Sequence, residues 1–384
     1  MKSCLVWAAG GLLAATLICL SARSPEIPFA RHMIDPGISE TCAVGDFNND
    51  GKPDIFSGEA WYENPTWTRH EVRHLKEYGT YLASLSDLAM DVDGDGNVDI
   101  VSSGWHNRTL WWSRNPGKPG VMWEDHVIDQ GYPIEFSFLV DIDNDGKARE
   151  VLPQFGNVKA PTAWYEYVGG QWKKHVVSGQ SYGHGIGAGD VNKDGRTDII
   201  TPKGWLEAPA DPRSGDWKFH PEFDLGETSF IFAVDINEDG LPDLLTAEAH
   251  NYGIFWMEQR PDHTWVKHMI DDSWSEPHAL TLADINGDGR LELITGKRFL
   301  AHDGRDPGAR EPLGIYWYEW HKTEDGKGVQ WSKHIIDYGG RAGGGMHIPV
   351  VDIDSDGDMD FAVGGKGGLF LFENLTKNPG RRGR

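Results

Sequence analysis

Two sets of side chains in this 384-residue chain have the types and spacing to do chemistry. The first is a loop pattern, D-x-[D/N]-x-D-G, that recurs seven times. Its oxygen-bearing positions begin with Asp46, Asn48, Asp50 and Asp54, then Asp91, Asp93, Asp95 and Asp99, then Asp141, Asp143 and Asp145. They continue with Asp190, Asn192, Asp194 and Asp198, and with Asp235, Asn237, Asp239 and Asp243. The last two copies supply Asp284, Asn286, Asp288 and Glu292, and Asp352, Asp354, Asp356 and Asp360. A hard cation such as Ca2+ takes six to eight oxygens, and Gly at the sixth position allows the sharp turn that gathers them. An EF-hand would need flanking helices and a Glu at position 12, whereas apolar strands flank these loops. The third loop departs from the pattern, with Arg149 at position 9 and Glu150 one place late. Asx-type turns without metal are the alternative, but packing so many carboxylates together without a cation is costly. The sequence therefore predicts several structural Ca2+ ions.

The second set emerges from sorting the 16 histidines. Seven of them, His32, His70, His126, His175, His220, His268 and His334, recur at one position of a repeated strand, which argues for packing. His74, His263 and His321 fall in turns or at a strand end. His106, His184, His250, His278, His302 and His347 remain. Two or three imidazoles with a carboxylate suit zinc or another divalent ion with open positions, and His184, His278 and His347 with Glu40 or Glu135 are the candidates. His106, Lys203, His250 and His302 are candidates for moving a proton. Lys297, Arg298 and Lys366 could stabilise negative charge on a substrate, and Trp105, Trp274 and Trp320 could stack on a sugar. The alternative is that these residues are polar because they face water.

The elements that must position these residues are repeats. Successive acidic loops start 45 to 50 residues apart, with one spacing of 68. A short apolar strand precedes each loop and another follows it. A third strand carries W-x-E, as at Trp61/Glu63 and Trp317/Glu319, and a fourth carries W-x-x-H, as at Trp265/His268. Four antiparallel strands per unit, seven times over, predict an all-β, seven-bladed β-propeller spanning residues 23–376. The last unit lacks its fourth strand, and Phe29–Asp35 matches the missing piece, so the N-terminal strand should complete the last blade. Counting six residues back from each loop's first Asp reaches Glu40, Leu85, Glu135, His184, Ser229, His278 and Met346, next to His347. In a propeller these positions ring one mouth of the channel, opposite the acidic loops.

Residues 1–22 read as a signal peptide, with Lys2 before an apolar run too short to span a membrane. The expected destination is secreted or periplasmic, without membrane insertion after cleavage. Removal of Cys4 and Cys19 with that segment leaves Cys42 alone, so no intrachain disulfide can form. Residues 377–384 form a basic tail. The formal charge of −23 excludes a nucleic-acid binder. Seven Ca2+ would bring that figure to −9, so the charge reads as a cation requirement.

The repeats resemble the FG-GAP/VCBS family over nearly the whole mature chain. Tyr182–Pro209, with YGHGIGAGDVNKDG, is also similar to the propeller of aldos-2-ulose dehydratases, as are SEPHALTLADINGDGR and GGGMHIPVVDIDSDGD. That resemblance implies a metal-dependent lyase that eliminates water from a keto-sugar, with His184, His278 and His347 on the site. A non-catalytic propeller that binds carbohydrate or protein is the other expectation.

Overall fold

The computed structural model describes residues 24–378. The expected signal segment and residues 379–384 of the tail lie outside it. Among the described residues, regular structure is all strand except one 3-10 turn at Ala301–Asp303, and no helix is long and apolar enough to cross a membrane. The strands form an all-β propeller. In each unit the chain runs outward from a short inner strand, such as Ala43–Gly45, through Asp54–Ser57 and Ala60–Glu63 to an outer strand, Thr68–Glu71. Second strands are buried along their whole length, as at Asp99–Gly104 and Asp360–Gly365, because neighbouring sheets pack on both of their faces. Outer strands mix exposed and half-buried residues.

Phe29–Asp35 pairs antiparallel with Gly368–Asn374, placing His32 opposite Leu371. The first strand of the chain thus joins the sheet made by the last three. This protects the edge that an open ring would leave unpaired.

One difference from expectation concerns the sheets. The sequence predicts seven separate four-stranded blades, but five four-stranded sheets stand alone and eight further strands form a single sheet. Its halves join where the inner strands Ile186–Gly189 and Phe230–Val234 pair in parallel. Glycine makes this possible: a Cβ at Gly187 would lie 1.8 Å from the Ile231 carbonyl oxygen.

The repeated Trp, Glu and His form one device. In Trp61–His70, Trp164–His175, Trp205–His220 and Trp317–His334 the rings stack at 4.1, 4.2, 4.1 and 3.7 Å between centroids. Each imidazole Nε2 also meets the Glu of W-x-E, at 2.8 Å in His70–Glu63 and 2.7 Å in His220–Glu207. Arg114 replaces that Glu in one unit and reaches instead to Asp93 and Asp95 of the acidic loop, at 2.7 and 2.8 Å.

The acidic loops close in a common way. The first Asp accepts the N–H of the sixth residue, as in Gly51 to Asp46 at 2.8 Å and Gly289 to Asp284 at 2.9 Å. The position-nine acid accepts the N–H of the second residue and, through its other oxygen, one at or just past the end of the third strand. Asp54 does so with Phe47 and Asn64, and Asp360 with Ile353 and Asn374. Glu150 takes this role in the irregular third loop, accepting from Ile142 at 2.9 Å. Its longer side chain compensates for the inserted residue, so the third loop keeps an acid that position-by-position matching loses. Burial pushes these carboxyls up, Asp54 to about 6, Glu150 and Asp360 to about 7 and Glu292 to about 8.

Candidate metal centre

Four successive units deliver one side chain each to the mouth of the ring opposite the acidic loops. Glu135 lies at the start of the inner strand Ile134–Val140. His184 and His278 stand two and one residues before the inner strands Ile186–Gly189 and Ala279–Ala283. His250 sits in the turn between Asp243–Ala247 and Tyr252–Gln259. One ligand-capable atom from each of the four lies within 4.8 Å of all the others.

Backbone and side-chain partners fix how the imidazoles point. His184 Nδ1 donates to the Thr228 carbonyl at 2.7 Å, and Thr228 N–H returns a bond to the His184 carbonyl at 2.8 Å. This approach depends on Gly185 (φ 125°), where a Cβ would fall 2.1 Å from Thr228 Oγ1. Nδ1 of His250 meets Asp306 Oδ2 at 3.2 Å, an oxygen that can only accept. Each ring therefore turns its Nε2 inward, and the two Nε2 atoms face one another at 3.1 Å. Glu135 Oε2 lies 2.7 Å from His184 Nε2.

Such a group requires a positive centre, either a proton or a cation. A proton on His184 Nε2 satisfies Glu135 and His250 but does nothing for His278. That ring is fully buried, and neither of its nitrogens has a hydrogen-bond partner. Its Nε2 approaches Glu135 Oε1 only to 3.5 Å. Tetrahedral coordination with ~2.0–2.1 Å bonds sets ligand atoms about 3.3 Å apart, and the atoms here stand 2.7, 3.1 and 3.5 Å apart in three pairs. The donor set of three imidazoles and one carboxylate, with His250 backed by Asp306, fits a divalent transition metal.

The electrostatics agree with the geometry. Burial raises the Glu135 carboxyl, but His184, His278 and Arg298 outweigh it and hold the group well below its ordinary range. Burial lowers His184, yet Glu135 and the Thr228 carbonyl bring it above its usual value. Burial, with Arg298 and the neighbouring rings, keeps His278 well below its usual value and His250 down at about 4. His250 and His278, held neutral beside an ionised Glu135, are in the protonation states that metal ligation needs, whereas the raised His184 favours an imidazolium whose Nε2 proton a cation would have to displace.

Of the expected ligands, His184, His278 and Glu135 converge, while His347 and Glu40 do not join them. His347 Nε2 lies 2.6 Å from Ser86 Oγ, and burial holds its pKa down at about 4. Glu40 Oε2 accepts from Arg298 Nε at 3.0 Å. His250, expected to move protons, lies with His184, His278 and Glu135 in this group. Lys203 pairs with Asp224 at 2.6 Å on the surface, and the exposed His106 stacks on Tyr78 at 5.1 Å. His302 stays beside the centre, its ring 4.4 Å from His250 and its Nδ1 3.0 Å from Asp306. Lys297 is buried against Ser275 Oγ at 2.6 Å, and Arg298 is buried between two carboxylates. Lys366 donates to the Leu300 carbonyl at 2.8 Å. None of these three cations presents a free head to a ligand.

The expected tryptophan platform does not form. Trp274 and Trp320 are buried, one bonded to Tyr318 and the other packed on Trp331, and the Trp105 ring lies against the Gly156 backbone. Asp306 escaped the sequence reading because its loop has no counterpart in the other units.

Together the fold and the loops define an all-β propeller with FG-GAP-like repeats. The family described as FG-GAP-like repeat matches residues 91–148 and 235–295. Among solved structures, that of BBS1N in complex with ARL6DN is similar at a TM-score of 0.55 and 9% identity, covering 93% of this chain and 99% of that one. A lectin of Agrocybe aegerita that recognises non-reducing terminal N-acetylglucosamine gives 0.43 at 17% identity, covering 92% of each chain. The V. cholerae biofilm matrix protein Bap1 gives 0.46 at 11%, covering 90% of this chain and 89% of that one. At these identities the likeness concerns the fold alone. No curated protein sequence matches the chain, and no relative supports the dehydratase likeness.

Proposed function

We propose that this chain is an exported, calcium-stabilised propeller whose channel mouth holds a divalent transition metal and acts as a lyase on a keto-sugar or related carbohydrate. The observation that carries this reading is the group of buried Glu135 and His278 with half-buried His184 and His250, above all His278, neither of whose nitrogens has a hydrogen bond. On this reading the ring counts seven blades, the eight-stranded sheet being two blades zipped through their inner strands. Ca2+ in the acidic loops is structural.

A bound divalent ion would supply Lewis acidity, polarising a substrate carbonyl and acidifying the adjacent C–H. The chain's own residues would do the rest. Asp306 holds the Nδ1 protons of both His250 and His302, which orients one as a ligand and leaves Nε2 of the other as an acceptor. The His302 side chain is 45% exposed, so that nitrogen is open to a substrate and suited to general-base removal of the acidified proton. His302, Leu300 and Asp303 all hold left-handed backbone (φ 47°, 48° and 58°), unusual for side-chain-bearing residues and frequent where a site fixes a group.

The test is enone absorbance during incubation of zinc-loaded protein with 1,5-anhydrofructose or a 3-keto-glycoside. Turnover that falls at least about 100-fold in His302→Gln, with metal content unchanged, supports the reading. Absence of turnover in fully metallated wild type counts against the lyase. A second reading, a non-catalytic carbohydrate- or protein-binding propeller, draws on the exposed Tyr78–His106 stack at the same rim and predicts binding without turnover.

A further inference from the structure

Arg298 was expected to meet substrate, but its side chain is only 3% exposed and lies between Glu40 and Glu135. Its Nε donates to Glu40 Oε2 at 3.0 Å, and its second nitrogen donates to Glu135 Oε1 at 2.8 Å. Glu40 in turn has Lys366 Nζ 3.4 Å from its other oxygen, and that ammonium lies 3.6 Å over the Tyr81 ring. The arrangement spans the channel mouth, because Glu135 lies in one sheet while Glu40 and Arg298 sit on loops that adjoin strands of two others.

We propose that Arg298 is a positioning residue that keeps Glu135 a one-oxygen ligand and so leaves a coordination position open for substrate. The proposal rests on the metal reading above. A carboxylate among three imidazoles is free to chelate a divalent ion through both oxygens, which fills the position a substrate oxygen must take. The guanidinium engages Oε1, while Oε2 faces His184 at 2.7 Å, so the two oxygens are given different work. Glu40 supplies the compensating charge. Glu40 and Glu135 together balance Arg298 and Lys366, so the guanidinium is shared between two carboxylates and does not pair with Glu135 alone. Partners that orient metal-binding carboxylates typically change metal affinity about 10- to 100-fold when altered.

Co2+ serves as the probe, because four-coordinate Co2+ absorbs visible light strongly and five- or six-coordinate Co2+ weakly. The full chain is titrated with Co2+ as wild type, Arg298→Lys and Glu40→Gln, with circular dichroism as the check on folding. Wild type should bind one equivalent with the strong spectrum. Arg298→Lys should bind about 10- to 100-fold more weakly, with bands reduced toward the higher-coordinate form, and Glu40→Gln should shift in the same direction by less. Wild-type spectrum and affinity in both variants overturn the positioning role and leave the metal centre standing. If Arg298→Lys does not fold, an unchanged Glu40→Gln spectrum overturns it alone. A wild type that takes up no Co2+ beyond the acidic loops overturns the metal reading and this inference with it.

Discussion

The two ends of the inner strands carry different kinds of information. At one end the same acidic turn is built seven times, each copy closing on its own first Asp. At the other end the corresponding positions hold Glu40, Leu85, Glu135, His184, Ser229, His278 and Met346, and side chains from different units, not all of them neighbours, meet there. Repetition marks what every blade needs to stand, while departure from repetition marks what the molecule as a whole can do. The same rule sorts the histidines, since the seven repeated ones sit in the outer strands and five stack on an adjacent Trp at 3.7 to 4.5 Å.

The acidic end offers the largest effect. Chelation of Ca2+ should lower the thermal midpoint by more than ~10 °C, because each site saturated at 100 times its Kd contributes about 2.7 kcal/mol. Differential scanning calorimetry with and without EDTA measures this, and an unchanged midpoint would make the loops plain Asx turns. The chelated protein should also be more stable at pH 5 than at pH 8. Burial raises Asp198, Asp243 and Asp360 from 3.8 to about 7, so between those values the folded state binds more protons than the unfolded and stability falls as pH rises.

A smaller effect tests the seam between the two halves of the eight-stranded sheet. Gly187→Val adds a side chain where a Cβ already meets the Ile231 carbonyl oxygen at 1.8 Å, and should cost about 3 kcal/mol in urea unfolding. A loss below ~1 kcal/mol would mean the inner strands separate freely.

Repeated and unrepeated histidines should differ by less, but still measurably. His334→Ala removes a fully buried ring from Trp317 and Glu319 and should cost about 2 kcal/mol. His106→Ala, at the exposed rim, should stay within about 0.5 kcal/mol. Equal losses in the two variants would erase the distinction.

The sequence made the propeller legible because the acidic motif keeps register through every unit and the tryptophans through most of them. It also made Glu135, His184 and His278 legible, through their fixed distance from the first Asp of each loop. His347 and Glu40 share that neighbourhood but are captured by Ser86 and Arg298. Register fixes which backbone reaches the rim, whereas side-chain partners decide which groups meet. His250 and Asp306 lie on connections of unequal length, where no repeat supplies a register. Glu150, one place late in the sequence, still takes the position-nine role, its longer side chain offsetting the inserted residue.

The most direct test of the account is elemental analysis after chelation and reloading with Ca2+ and Zn2+, comparing wild type with the His184→Ala/His278→Ala double variant. The account predicts about one zinc per wild-type chain, lost in the variant while calcium stays the same in both. Calcium alone in both proteins, or zinc retained in the variant, would contradict it.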